Sequence, residues 1–265
     1  MLDLGREVEF YELFGLQRVG GDAGHAILAA DGAPLVRLTS LPNGKERPRH
    51  TAGLYHFAIL LPNEQELGSF LQRSLEVRLP LTGTADHFVS QALYFDDPEG
   101  NGIEVYADRP RSAWRHEARQ LTMTTIPLDV EDLIAAGGGE PWTGAPASTT
   151  IGHIHLYVRD IDQAAAFYHD ALGFDKVVWN YPGALFMSAG GYHHHLGTNT
   201  WAAQSPTAAD DDAKLIEWEV VVPSTSDVAD AAASLESAGY SVERSGETAA
   251  ARDPWGTQLR LVSEG

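Results

Sequence analysis

Residues 151–174 read IGHIHLYVRDIDQAAAFYHDALGF. Ile151–Val158 is an apolar-rich run of strand length. Asp160 then stands where a helix N-cap belongs, and Ala164, Phe167, Tyr168, Ala171 and Leu172 recur at helical spacing. Gly173 suits the C-terminal cap. The spacing predicts a strand, a helix over Asp162–Leu172, and later strands at Ala184–Ser188 and Tyr192–Leu196.

Working outward, the same pattern returns. Asp3–Leu16, DLGREVEFYELFGL, places Phe-Tyr seven residues after an Asp, as Asp160–Phe174 does, and also ends in Gly plus an apolar residue. A second pair is Asp97–Val105, DPEGNGIEV, and Asp253–Leu261, DPWGTQLRL, each a turn followed by a strand. Four similar modules follow, at about 1–45, 50–110, 149–203 and 213–264, each complete one reading strand, helix, then strands. The first begins at its helix, so its first strand is expected to be missing through a late start or a cut chain. The fold class expected is α+β, with tandem βαβββ modules forming two half-open β-barrel domains. Their expected bounds are 1–110 and 149–265, joined by a linker over 111–148 that carries GGGEPWTGAPAS.

Composition narrows the function. The 265 residues include no Cys, which excludes a disulfide scaffold, a cysteine nucleophile and thiolate metal sites. With 37 acidic and 18 basic side chains, the net charge of −19 argues against nucleic acid, which needs clustered cations. It argues equally against an anionic membrane surface. The longest apolar runs are far short of a membrane span. The N-terminus MLDLGREVEF is acidic and polar, unlike a secretory signal, so a cytoplasmic location is expected.

The candidate ligands sort onto the modules. His56 and His153 lie at corresponding places on the first strands of modules two and three, and Glu104 on the last strand of module two. Two imidazoles and one carboxylate leave about three positions of an octahedral metal open, which suits iron(II) when substrate and oxygen must both bind. The fourth module is an internal control: Arg260 replaces Glu104 and Glu217 stands opposite His56, so it cannot hold a metal in this way. Further polar groups are His193, His194 and His195, in YHHHLG, where strand alternation would send His194 to the opposite face from its neighbours, and Tyr94 and His87.

These residues carry a resemblance. GLYHFAILLP, DHFVSQALYFDDPEGNGIEVYADRPR, the 152–174 segment and SAGGYHHHLGTNTW resemble the vicinal oxygen chelate (glyoxalase/bleomycin resistance/dioxygenase) superfamily. Within it they are most similar to type I extradiol dioxygenases of the catechol 2,3-dioxygenase branch. The resemblance implies a non-haem iron(II) enzyme that opens catechol-type aromatic diols with O2, manganese(II) being possible with the same ligands. His153, His56 and Glu104 match the family's metal ligands. Tyr94 matches its active-site tyrosine, and His194, then His195, its acid–base histidine. His87 resembles a second one. Trp179, Tyr181, Phe186 and Trp201 are the expected substrate-binding side chains. The expected partners are the diol, O2 and further copies of the chain. In the better-known family members the site belongs to the third and fourth modules; here the ligand bookkeeping pairs module two with module three.

Two other readings remain open on the residues. A glyoxalase-like isomerase or lyase would add a fourth ligand from the triple His and need no oxygen. A metal-free protein binding aromatic ligands would need a cavity but no ligand set.

Overall fold

Asp3 accepts a hydrogen bond from the Arg6 amide at 3.0 Å and starts helix α1, Leu4–Glu12. The computed structural model describes residues 1–49 and 51–264. In it the chain forms two compact units, the first made of Met1–Glu46, Tyr55–Ile154 and Asp210–Ala213. In this unit α1 is followed by β1 (Gln17–Gly21), β2 (His25–Ala30) and β3 (Ala33–Thr39), an antiparallel sheet in chain order. The next module comprises β4 (Gly53–Leu61), α2 (Glu64–Glu76), β5 (Leu81–Asp86), β6 (Ser90–Asp96) and β7 (Gly102–Asp108). Here β7 runs parallel to β4 and antiparallel to β6, which pairs with β5. Asn63 caps α2 through the Glu66 amide, and Leu67, Phe70 and Leu71 turn inward at helical spacing. They join Tyr11, Phe14, Leu28 and Phe95 in one core. The ring of Phe14 lies 5.5 Å from that of Phe70 and 5.1 Å from that of Phe95. Each such buried ring contributes about 1.5–3 kcal/mol.

Residues 111–148, expected as linker, carry the short hairpin β8 (His116–Glu117) and β9 (Gln120–Leu121) and helix α3 (Val130–Ala136). The fully buried Leu133 of α3 belongs to the same core as α2. Strand β10 (Thr150–Tyr157) follows beside β4, and its residues up to Ile154 belong to the first unit.

The second unit comprises Arg47–Leu54, His155–Ala209 and the chain from Lys214 onward. Asp160 caps α4 (Ile161–Ala165) through the Gln163 amide at 2.8 Å, as expected, but the helix continues as a π-helical segment over Ala166–Ala171. Next come β11 (Asp175–Val178), β12 (Ala184–Ser188) and β13 (Leu196–Asn199), then β14 (Glu217–Val222), α5 (Thr225–Ser237), β15 (Val242–Ser245), β16 (Thr248–Arg252) and β17 (Gln258–Ser263). Strand β14 pairs parallel with β17, and β17 antiparallel with β16.

Both repeated motifs have one physical cause. In the first unit Tyr11 donates to Asp97 Oδ2 at 3.1 Å, while Asp97 Oδ1 takes the amides of Glu99 and Asn101 at 3.0 and 2.8 Å. In the second, Tyr168 donates to Asp253 Oδ2 at 3.0 Å, and Asp253 Oδ1 takes the amides of Trp255 and Thr257 at 2.9 and 2.8 Å. The Phe-Tyr helix of one module thus latches the Asp-Pro turn of the next. The architecture is α+β, the class expected from the repeats. No helix among the described residues is long and apolar enough to cross a membrane.

Candidate metal centre

His56 sits on β4, Glu104 on β7 and His153 on β10. The parallel register sets His56 beside Gly102 and Ala58 beside Glu104, so His56 and Glu104 are diagonal neighbours on one face. β10 brings His153 in from the other side of β4. His56 Nε2 lies 3.1 Å and His153 Nε2 3.2 Å from the same oxygen, Glu104 Oε2. All three side chains are buried, with 5%, 3% and 4% of their residues' surface exposed for His56, Glu104 and His153. Burial pushes the Glu104 carboxyl up, but the charge and hydrogen bond of His153, with those of His56, outweigh it and hold it well below the usual carboxylate range.

The donor set fits a divalent transition metal. Its ligand atoms all lie within 4.8 Å of one another. Ligands at right angles on an ion with bonds of about 2.1 Å stand about 3.0 Å apart. The two nitrogen–oxygen separations, 3.1 and 3.2 Å, are close to that spacing. Imidazole with carboxylate suits iron or manganese rather than a thiophilic ion. A close backbone approach supports the trio: a side chain on Gly152 would collide with the Tyr106 hydroxyl, whose ring packs 4.9 Å from that of His153. Tyr106 was not singled out in the sequence, although it lies two residues beyond Glu104 on the same strand.

Tyr94 is directly opposite Glu104 in the antiparallel register, its ring 5.8 Å from that of His56. Its hydroxyl is 2.7 Å from His87 Nε2, and His87 Nδ1 is 2.6 Å from the Thr124 carbonyl. A carbonyl only accepts, so Nδ1 carries a proton, and in the tautomer with its one proton there Nε2 accepts from the Tyr94 O–H. Thr124 lies in the stretch read as linker.

The remaining expected residues lie in the second unit. The triple His is not on a strand, contrary to the expected Tyr192–Leu196 strand with alternating faces. Gly190 and Gly191 take positive φ of 63° and 67°, turning the chain, and β13 begins only at Leu196. His193 Nδ1 and His194 Nδ1 therefore meet at 2.7 Å rather than pointing to opposite faces, and both rings are buried. His195 Nδ1 accepts the Ala189 amide at 3.2 Å. The ring of Phe186 lies 5.0 Å from that of His194 and 5.8 Å from that of Tyr181, while Trp201 and Trp179 are about half exposed, at 52% and 47%. The buried His155, not singled out in the sequence, joins this group: its ring is 5.6 Å from Phe186 and 5.8 Å from Trp201. Asn199 donates to His155 Nε2 at 3.0 Å while accepting the Trp201 amide at 3.1 Å. In the fourth module Glu217 and Arg260 keep the register of His56 and Glu104 and form a bidentate ion pair, both bonds 2.8 Å.

A family model described as Glyoxalase/Bleomycin resistance protein/Dioxygenase superfamily matches residues 150–261. Catechol-2,3-dioxygenase of Bacillus subtilis (strain 168) is 45% identical over 258 residues, 95% of this chain and 90% of that protein. The chain belongs to the glyoxalase/bleomycin resistance/dioxygenase superfamily. It is an enzyme of the dioxygenase side of that superfamily. The superfamily fold is shared with solved structures of low sequence identity. A candidate dioxygenase from Bacillus subtilis subsp. subtilis strain 168 superposes with a TM-score of 0.69 at 16% identity, covering 99% of this chain and 82% of the other. Glyoxalase I from Zea mays gives 0.59 at 14%, covering 99% and 89%.

Proposed function

We propose that this chain is a non-haem iron(II)-dependent extradiol dioxygenase that opens catechol-type aromatic diols with O2, manganese(II) serving the same ligands as an alternative. The observation that carries the reading is the convergence of His56 and His153 on one oxygen of Glu104 inside a buried site. The 45% identity to a catechol-2,3-dioxygenase supports the substrate class. Convergence favours a metal-holding enzyme over a metal-free binding protein, in which these three side chains need not meet.

His56, His153 and Glu104 would hold the ion, which when bound supplies Lewis-acid polarisation of the diol and a place for oxygen. The protein's part is proton handling and exclusion of water. A diol hydroxyl donates to the Tyr94 oxygen, Tyr94 hands its own proton to His87 Nε2, and the Thr124 carbonyl steadies the resulting imidazolium through Nδ1–H. Further acid–base work is assigned to His194, with His195 next, by the resemblance of YHHHLG to the family motif. Tyr181, Phe186, Trp201 and Trp179 are the proposed substrate contacts. Cytoplasmic location and self-association complete the proposal.

The test is oxygen uptake on adding catechol to iron-loaded protein, with a yellow ring-opened product formed in equal amount. Glu104→Ala is expected to lose bound iron and turnover together. A variant that keeps its iron removes Glu104 from the ligand set. Turnover of a different substrate with no oxygen uptake would favour the isomerase reading.

A further inference from the structure

Helix α1 carries a second acidic centre on the first unit that the proposed reaction does not use. Glu7 is fully buried, 0% exposed, and neither oxygen of its carboxyl has a hydrogen-bond partner among the described residues. One turn along the same face, Tyr11 donates to Asp97, so the helix places Glu7 over the turn that holds Asp97 and Glu99. Glu99 uses Oε1 to accept the amides of Leu2 and Asp3 at 2.6 and 3.1 Å, while its Oε2 is buried without a partner. Asp97 is saturated: two amides, the Tyr11 hydroxyl and the Asn101 side chain take both its oxygens. Three carboxyls thus lie around one helix start, and three buried oxygens, two of Glu7 and one of Glu99, have no donor among the described residues.

The repeat makes this arrangement informative. Counting from the latching tyrosines, the counterpart of Glu7 in the second unit is Ala164, also fully buried. Counting from the latching aspartates, the counterpart of Glu99 is Trp255. The Tyr168–Asp253 latch forms without either carboxyl, so the latch does not explain Glu7 or Glu99. Both acids appear together, and only in the first unit.

Burying a carboxyl with no partner is costly. Burial first, then the charges of Asp97 and Glu99, push the Glu7 carboxyl up to about 8, against the weaker pull of Arg6 and the amino terminus. A proton on Glu7 cancels its charge, but its other oxygen still has no donor among the described residues. A hard cation satisfies charge and lone pairs at once. Oxygen-only ligands, one of them free to bind through both oxygens, are the chemistry of calcium, and with more water of magnesium.

We propose that Glu7 and Glu99 bind a hard divalent cation of the calcium or magnesium type, with Asp97 adding charge beside it, at a site separate from the His56–Glu104–His153 centre. The cation would tie α1 to the turn that leads into β7, and its role is structural.

The test is thermal melting of the full-length protein as purified, desalted and then titrated with calcium chloride or magnesium chloride at matched ionic strength. The wild type is expected to melt higher by about 3 °C at saturating cation. Glu7→Ala, which installs the residue of the counterpart position, and Glu99→Gln are each expected to lose that shift. Glu104→Ala is expected to retain it, which separates this site from the catalytic one and makes the result independent of turnover. Equal melting of the wild type with and without either cation overturns the proposal, and so does a shift that survives in Glu7→Ala. A shift lost only in Glu104→Ala assigns the effect to the other centre and also overturns it.

Discussion

Replacing Tyr94 with Phe deletes one oxygen from the proposed proton route and leaves the ring in place. The ring packs 5.8 Å from that of His56, and Phe preserves that contact, so the metal trio keeps its surroundings. Two effects of different size follow. His87 Nε2 loses the donor 2.7 Å away, and because His87 is only half-buried this costs stability about 1 kcal/mol, at the low end for such a loss. If the hydroxyl were only a structural bond, turnover would change by less than about tenfold. If Tyr94 accepts the substrate proton, the loss is that of a positioned base, about 10²–10⁴-fold in kcat, or roughly 3–5 kcal/mol of barrier. Initial rates of oxygen uptake with catechol, beside iron content per chain, separate the cases. The expected result is a kcat lowered at least about a hundredfold with iron unchanged. A kcat within about tenfold of wild type refutes the relay.

His194→Ala is expected to keep its metal and slow ring opening, read by single-turnover kinetics; unchanged rates move the acid–base role to His195 or His87. Gly152→Ala is expected to destabilise by about 1–3 kcal/mol through the clash with the Tyr106 hydroxyl, and adding Tyr106→Phe should restore part of the melting temperature. The buried Glu7 makes a signed forecast for stability in cation-free buffer. Unfolded, Glu7 releases its proton near 4.5; folded, it holds it to about 8. The folded state therefore binds more protons between those values, and the contribution of Glu7, full below 4.5, is lost as pH rises through about 8. Urea denaturation should show Glu7→Ala gaining on wild type across that window, and a constant difference would contradict it.

Much of this was legible because it is local or repeated. Asp160 as a cap, the strand at Ala184–Ser188 and the fourth-module swap of ligands for Glu217 and Arg260 follow from residue type and spacing, and the structure shows each. The meeting of His56, Glu104 and His153 was legible because three residues from two modules match one chemistry. What escaped depends on backbone. The Thr124 carbonyl that sets the His87 tautomer has no side-chain signature, and it sits where composition suggests a linker. The triple His resembles a strand by composition, but two glycines with positive φ end the alternation before it starts. The π-helical segment over Ala166–Ala171 has no marker in a helical apolar pattern. Glu7 escaped because its position on α1 looks like an ordinary charged face until the helix is packed.

The proposed reaction requires His56, Glu104 and His153 to hold one metal ion. Anomalous-difference maps from crystals of iron-loaded protein, collected on either side of the iron absorption edge, test it directly. A single strong iron peak is expected within bonding distance of both Nε2 atoms and Glu104 Oε2. A map with no peak there, or with iron held by other side chains, would contradict it.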